Sequence, residues 1–229
     1  MGLQDRAVAA TVLRAVDHAV ERRWDDAVRR AGATRGTVAE RVAQVTRALG
    51  TELAAVGATT GGMAALPGVG TVASLATSAA DVGWTTTRAC DLVMAIAAVH
   101  GHTDAPPDER RAWVIAVLGY GAGAAEALPR ILAAEEEAAR EQARGRLSGG
   151  SLAALNQGFA RNLATKWVMR RLAASVGKAL PFGIGAVVGG VANRASARTI
   201  ARHADLLFHA LGGPGPRATD GAGAVASGG

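Results

Sequence analysis

The chain has 229 residues, a formal charge of +6, 49% hydrophobic residues, only 3% aromatics, 30 glycines and one cysteine. That length allows one large domain or two small ones around a real core, and the lone Cys90 excludes an internal disulfide framework and fits a reducing compartment. An apolar content made of Ala, Val and Leu favours an all-α class, and a basic balance, with a pI of about 10.8, suits nucleic acid or an anionic membrane surface.

Residues 1–35 read as an N-terminal amphipathic helix, with Val12, Val16, Val20, Trp24 and Val28 recurring four apart. Asp5, Arg6, Arg14, Asp17 and Glu21 interrupt any hydrophobic run, so this end does not read as a signal peptide. The expected location is the cytoplasm or the inner face of the cell membrane. Gly32 to Gly36 is a turn. Val38, Val42, Val45, Leu49, Leu53 and Val56 then step by four and three, with Glu40, Arg41, Gln44 and Arg47 on other faces, and predict a second helix.

That helix runs into residues 53–80, LAAVGATTGGMAALPGVGTVASLATSAA, 28 residues without Lys, Arg, Asp, Glu or His. The length suffices for a bilayer span. Leu66-Pro67-Gly68 breaks it, because Pro67 disfavours helix at Leu66 and Gly68 frees the next φ. Two shorter helical pieces follow, either a membrane hairpin or two buried helices of a soluble bundle. A second, shorter version of the pattern, KALPFGIGAVVGGVANR, occupies residues 178–194.

Asp81 ends the uncharged run, and Arg88 lies seven positions on, two helical turns away on the same face. A carboxylate among apolar neighbours must be paired or protonated, so Arg88, Lys178 and Arg194 are candidate partners for Asp81. A buried ion pair tying the two Leu-Pro elements together outweighs catalysis there. Asn193, just past the second apolar run, is a hydrogen-bonding or capping candidate. Leu92, Val93, Ile96 and Val99 carry the helix to His100-Gly101, and Asp108 is expected to cap the next one.

Residues 113–125 form a third uncharged run, too short to span a bilayer. Residues 130–146 read as a solvated helix in which Glu136 and Glu137 reach Arg140. An internal boundary falls near 147–151. Residues 156–178 predict a helix with Arg161, Lys166, Arg170 and Arg171 as candidate contacts for lipid headgroups. A last helix covers 196–211, and residues 212–229 lack any hydrophobic pattern and read as a disordered tail.

No pattern commits the chain to catalysis, a cofactor or a metal. Gly68-Val69-Gly70 imitates a dinucleotide fingerprint but lacks the preceding strand. His100 and His102 match no metal framework, and Cys90 sits mid-helix as a small core residue. The basic helix carries no helix-turn-helix signature and no stacking platform, which disfavours nucleic acid. Glycines four apart at Gly57/Gly61, Gly119/Gly123 and Gly185/Gly189 point instead to closely packed helical hairpins.

Two segments, GGMAALPGVGTVASLATSAADVGWTTTRACDLVMAIAAVHGHT and KWVMRRLAASVGKALPFGIGAVVGGVANRASARTIARHADLLFHAL, resemble the EcsC family. The resemblance spans residues 36–211 and rests on Leu-Pro-Gly, Asp81, Arg88, the His100-Gly101 helix end, Lys178, the second Leu-Pro and Asn193. His100 stands where the family more often has an aromatic. The resemblance implies an all-helical, membrane-associated accessory protein linked to ABC-transporter or secretion systems, and carries no catalytic residue with it. The expectation is therefore a non-enzymatic helical bundle with two Leu-Pro/Gly-rich apolar hairpins, docked on anionic lipid beside a membrane-protein partner. A soluble bundle binding a protein or a lipid-like ligand is the alternative; a hydrolase-type enzyme using Asp81 with His100 or Lys178 is the third reading.

Overall fold

The computed structural model describes residues 3–63, 71–143 and 184–212. They fold into α1 (Leu3–Arg22), α2 (Trp24–Gly32), α3 (Val38–Met63), α4 (Thr71–Val99), α5 (Pro107–Tyr120), a 3-10 turn (Gly121–Gly123), α6 (Ala124–Ala143) and α7 (Ile184–Leu211), with no strand among the described residues. The fold is an all-α bundle. The Leu66-Pro67-Gly68 break, the 147–151 boundary, the basic helix 156–178, the second Leu-Pro and the tail beyond Gly212 lie outside the described residues.

α4 is the central helix. From Ala89 to Val99 every residue is buried and all but Asp91 are apolar, as in a helix packed on every side. α1, α2, α3, α5 and α7 all pack against it. The four-residue stripe Val12, Val16, Val20 and Trp24 is buried as its spacing predicts, but the helix does not continue unbroken to residue 31. Arg23 leaves helical geometry, with φ −117° and ψ 8°, and its side chain is fixed to Asp91 of α4. The bend lets both α1 and α2 follow the central helix, so the N-terminal segment belongs to the same core.

α3 begins with a capping box. Gly36, at φ +101°, makes the turn. The Thr37 N–H then donates to Glu40 Oε2 at 2.8 Å while the Glu40 N–H donates to Thr37 Oγ1 at 3.3 Å. Val42, Val45, Leu49 and Leu53 of the predicted stripe are buried, and Val38 is exposed. α4 closes with a Schellman turn: the His102 N–H bonds to the Ala97 carbonyl and the Gly101 N–H to the Ala98 carbonyl, with Gly101 at φ +93°.

Two local expectations are corrected. Asp108 is not the cap of α5; extended Pro106 precedes the helix and Pro107 takes its first position, where a missing N–H costs nothing. Gly119 and Gly123 do not share a helix, because Gly121 adopts φ +61° and a 3-10 turn separates α5 from α6. The apolar stretch Pro107–Ala134 is long and apolar enough to cross a membrane, but 67% of its apolar window is buried in the bundle. Trp113, wholly buried, meets Phe208 of α7 edge-on at 5.1 Å. On α6, Arg140 pairs with both Glu136 and Glu137, as their spacing predicts.

The helix directions place the uncharged segments together. Leu53 of α3 meets Asn193 of α7, and Thr51 meets Arg194, so these two helices run antiparallel. Arg41 reaches the Val99 carbonyl and Arg88 reaches Glu52, so α3 and α4 are antiparallel as well. Beyond the level of Glu52, Arg88 and Arg194, three helix ends therefore continue in one direction: residues 53–63, 71–80 and 184–192. These three runs carry no charge, and on α4 Asp81 lies between the run and Arg88, about 10 Å beyond the level of Arg88. At ~1.5 Å of rise per residue the runs are about 13–16 Å long.

Candidate functional site

At the base of the uncharged end, α3 separates two arginine groups of opposite character. The first is a network centred on Asp91, which is 2% exposed on α4. Arg23 donates to both of its oxygens, Nε to Oδ1 at 2.7 Å and Nη2 to Oδ2 at 2.8 Å. This is the bidentate fork that makes Arg–carboxylate pairs specific. Arg88 adds a bond to Asp91 Oδ2 at 3.0 Å and continues to Glu52 at 3.3 Å; Glu52 in turn holds Arg30 at 2.7 Å. The Asp91 hydrogen bond raises the Arg23 pKa above its ordinary value against the opposing effect of burial. Three helices, α2, α3 and α4, and the junction between α1 and α2 are joined through these five side chains.

The second group lines an open groove of about 700 Å³ between α3 and α7. Arg194, Arg198 and Arg202 descend α7 one turn apart, and Arg47 faces them from α3 beside Thr46 and Thr51. Arg194 Nη2 bonds to Thr51 Oγ1 at 3.3 Å. Arg47, Arg198 and Arg202 are exposed, and none lies within ion-pair distance of a carboxylate among the described residues. Asp205 is the only acid lining the groove, and it bonds to His100 Nε2 at 2.8 Å. Four guanidiniums and one engaged carboxylate leave the groove strongly cationic.

The sequence-derived candidates distribute unevenly over these features. Arg88 takes Asp91 and Glu52 as partners; the side chain of Asp81, like Lys178, lies outside the described residues. Asn193 is 5% exposed and donates from Nδ2 to the Leu53 carbonyl at 2.9 Å, the hydrogen-bonding role its position suggested. Arg194 sits at the groove mouth. Arg161, Lys166, Arg170 and Arg171 lie outside the described residues. Sequence reasoning passes over Asp91 although the signal is present: it is the sole charge in ACDLVMAIAAV, residues 89–99. It names Arg194 as a partner for Asp81 but passes over Arg198 and Arg202, and with them the i, i+4, i+8 basic stripe the three arginines form.

Among the described residues, Cys90 is packed into the core and His102 against it. Cys90 is fully buried, and burial pushes its thiol far up from its ordinary value. His102 sits among Trp113 and Phe208, at ring separations of 5.4 and 5.5 Å. Burial holds its pKa below the ordinary value, and a hydrogen bond to the Gly212 backbone pulls the other way. Among the described residues no cluster of three His, Cys, Asp or Glu side chains could hold a metal ion. Comparisons with protein-family models, curated proteins and solved structures found no match to this chain.

Proposed function

We propose that this chain is a non-enzymatic accessory protein that seats one end of its bundle in an anionic membrane surface. The reading rests chiefly on the convergence of residues 53–63, 71–80 and 184–192 at one end of the helices, all uncharged. Their length of about 13–16 Å matches one leaflet, half of a hydrocarbon core ~30 Å thick. Charges resume at Glu52, Asp81 and Arg194, with Arg88 two helical turns further along α4 and level with Glu52. The burial of Cys90 and the bonding of Asp91 to Arg23 and Arg88 support a non-catalytic role. The resemblance to the EcsC family adds the expectation of a membrane-protein partner in a transport or secretion system on the cytoplasmic face.

Pelleting of the purified full chain with vesicles tests the reading. Binding to vesicles containing phosphatidylglycerol that persists in high salt is expected, since a seated apolar end is not screened as surface charges are. A protein that is monodisperse without detergent and indifferent to such vesicles would contradict it.

A further inference from the structure

We propose that the groove between α3 and α7 is a binding site for the phosphate headgroup of an anionic phospholipid. This rests on the membrane reading and assigns that surface its lipid contact.

The argument begins with position. The groove opens at Thr51 and Arg194, immediately below the uncharged helix ends, and runs down through Arg47 and Arg198 to Arg202. A phospholipid whose acyl chains lie along residues 53–63 and 184–192 brings its phosphate to that mouth. The second argument is charge. Exposed arginines on a helical bundle ordinarily find acids three or four residues away, as Arg140 does with Glu136 and Glu137. α7 has no acid from Ile184 to Ala204, and Asp205, three residues past Arg202, is bonded to His100 instead, so the arginine stripe makes no intrahelical ion pair among the described residues. Guanidinium forks match phosphate oxygens two at a time, and the Thr46 and Thr51 hydroxyls supply further hydrogen-bonding groups in the same cleft. The third is volume: about 700 Å³ lies within the range of small-molecule sites and accommodates a headgroup.

Asp205 defines the lower end. Its bond to His100 keeps the carboxylate directed toward α4, so the negative charge stands at the far end from the membrane level. The resulting polarity, cationic at the mouth and acidic at the base, favours a ligand entering with its phosphate near the tip.

The test compares wild-type full chain with R47Q/R198Q/R202Q on vesicles of phosphatidylcholine with and without phosphatidylglycerol. These arginines have no ion-pair partner among the described residues, so the variant should keep its thermal midpoint. A control, R14Q/R22Q/R130Q, removes the same charge from exposed positions on α1 and α6, which do not line the groove. The groove variant should bind anionic vesicles roughly 100-fold more weakly, three arginines each contributing about fivefold near a charged surface, while the control stays within a few-fold. Equal losses in the two variants would reduce the effect to net charge and overturn the groove assignment. Undiminished pelleting by the groove variant would overturn it while leaving the membrane reading intact. Failure of the wild type to pellet would overturn both. If sn-glycerol 3-phosphate raises the wild-type thermal midpoint but vesicles are not bound, the site takes soluble phosphate, and the lipid assignment falls.

Discussion

Arg23 and Arg88 on one side of α3, and Arg198 and Arg202 on the other, put the same side chain to opposite uses. The first pair closes on Asp91, which is almost fully buried, and through Arg88 on Glu52. The second pair lies exposed beside Arg47 and makes no ion pair among the described residues, the nearby Asp205 being bonded to His100. An arginine whose fork is filled by an acid of its own fold contributes position, and its removal shows in stability. An arginine left open contributes charge to the surface, and its removal shows in binding. Substitutions on the two sides should therefore separate cleanly into these two readouts.

The largest expected effect comes from breaking the filled side. Asp91→Ala leaves Arg23 and Arg88 partly buried without their carboxylate, and should cost about 3–5 kcal/mol in chemical denaturation. Adding Arg23→Met and replacing Asp91 by Leu should recover much of that loss, since apolar side chains of similar volume often replace buried ion pairs without penalty. A loss below ~1 kcal/mol in the single variant would show that the network is peripheral to stability.

A smaller loss is expected where α3 and α7 are pinned beside the open groove. Asn193→Asp replaces the buried donor to the Leu53 carbonyl by an acceptor, and should destabilise by about 1–3 kcal/mol. Because the same contact sets the height of Arg194 against Thr51, this variant should also weaken vesicle binding, whereas Asp91→Ala, measured under folded conditions, should not.

The smallest effect is a pH dependence at the far end of the bundle. His102 is held below its ordinary value of 6.5, so the folded chain favours the neutral ring and the unfolded chain takes up a proton first. Its stabilising contribution is complete above 6.5 and declines as the pH falls through that value toward the lower folded pKa. Thermal midpoints should fall modestly over that window, and His102→Phe should flatten the profile. An unchanged profile in the variant would assign the acid sensitivity elsewhere.

How much of this was legible depends on the range of the signal. Val42, Val45, Leu49 and Leu53 announce α3 through a local period, and the capping box of Thr37 and Glu40 is a three-residue pattern. The all-α class follows from such periods. The filled network does not, because Arg23 and Asp91 are 68 positions apart and no spacing rule joins them. The argument that a charge among apolar neighbours needs a partner applies to Asp91 as well as to Asp81; what it cannot supply is the partner, which tertiary packing selects. The bend at Arg23 was hidden as well, since the stripe from Val12 to Val28 is continuous and no Pro or Gly marks a break. The groove was half legible: the stripe on α7 can be read in sequence, but Arg47 joins it only once the two helices are known to be antiparallel.

Depth within a bilayer tests the central claim most directly. Cys90 is fully buried and does not compete for labelling in the folded protein, so single cysteines at Leu75, in the uncharged end, and at Ala133, on α6, can carry an environment-sensitive fluorophore. With vesicles containing phosphatidylglycerol and lipids spin-labelled along the acyl chain, the label at 75 should be quenched from within the leaflet and the label at 133 should remain aqueous. Both labels remaining aqueous on saturating vesicles would contradict the account, and the uncharged helix ends would then belong to the interior of a soluble bundle.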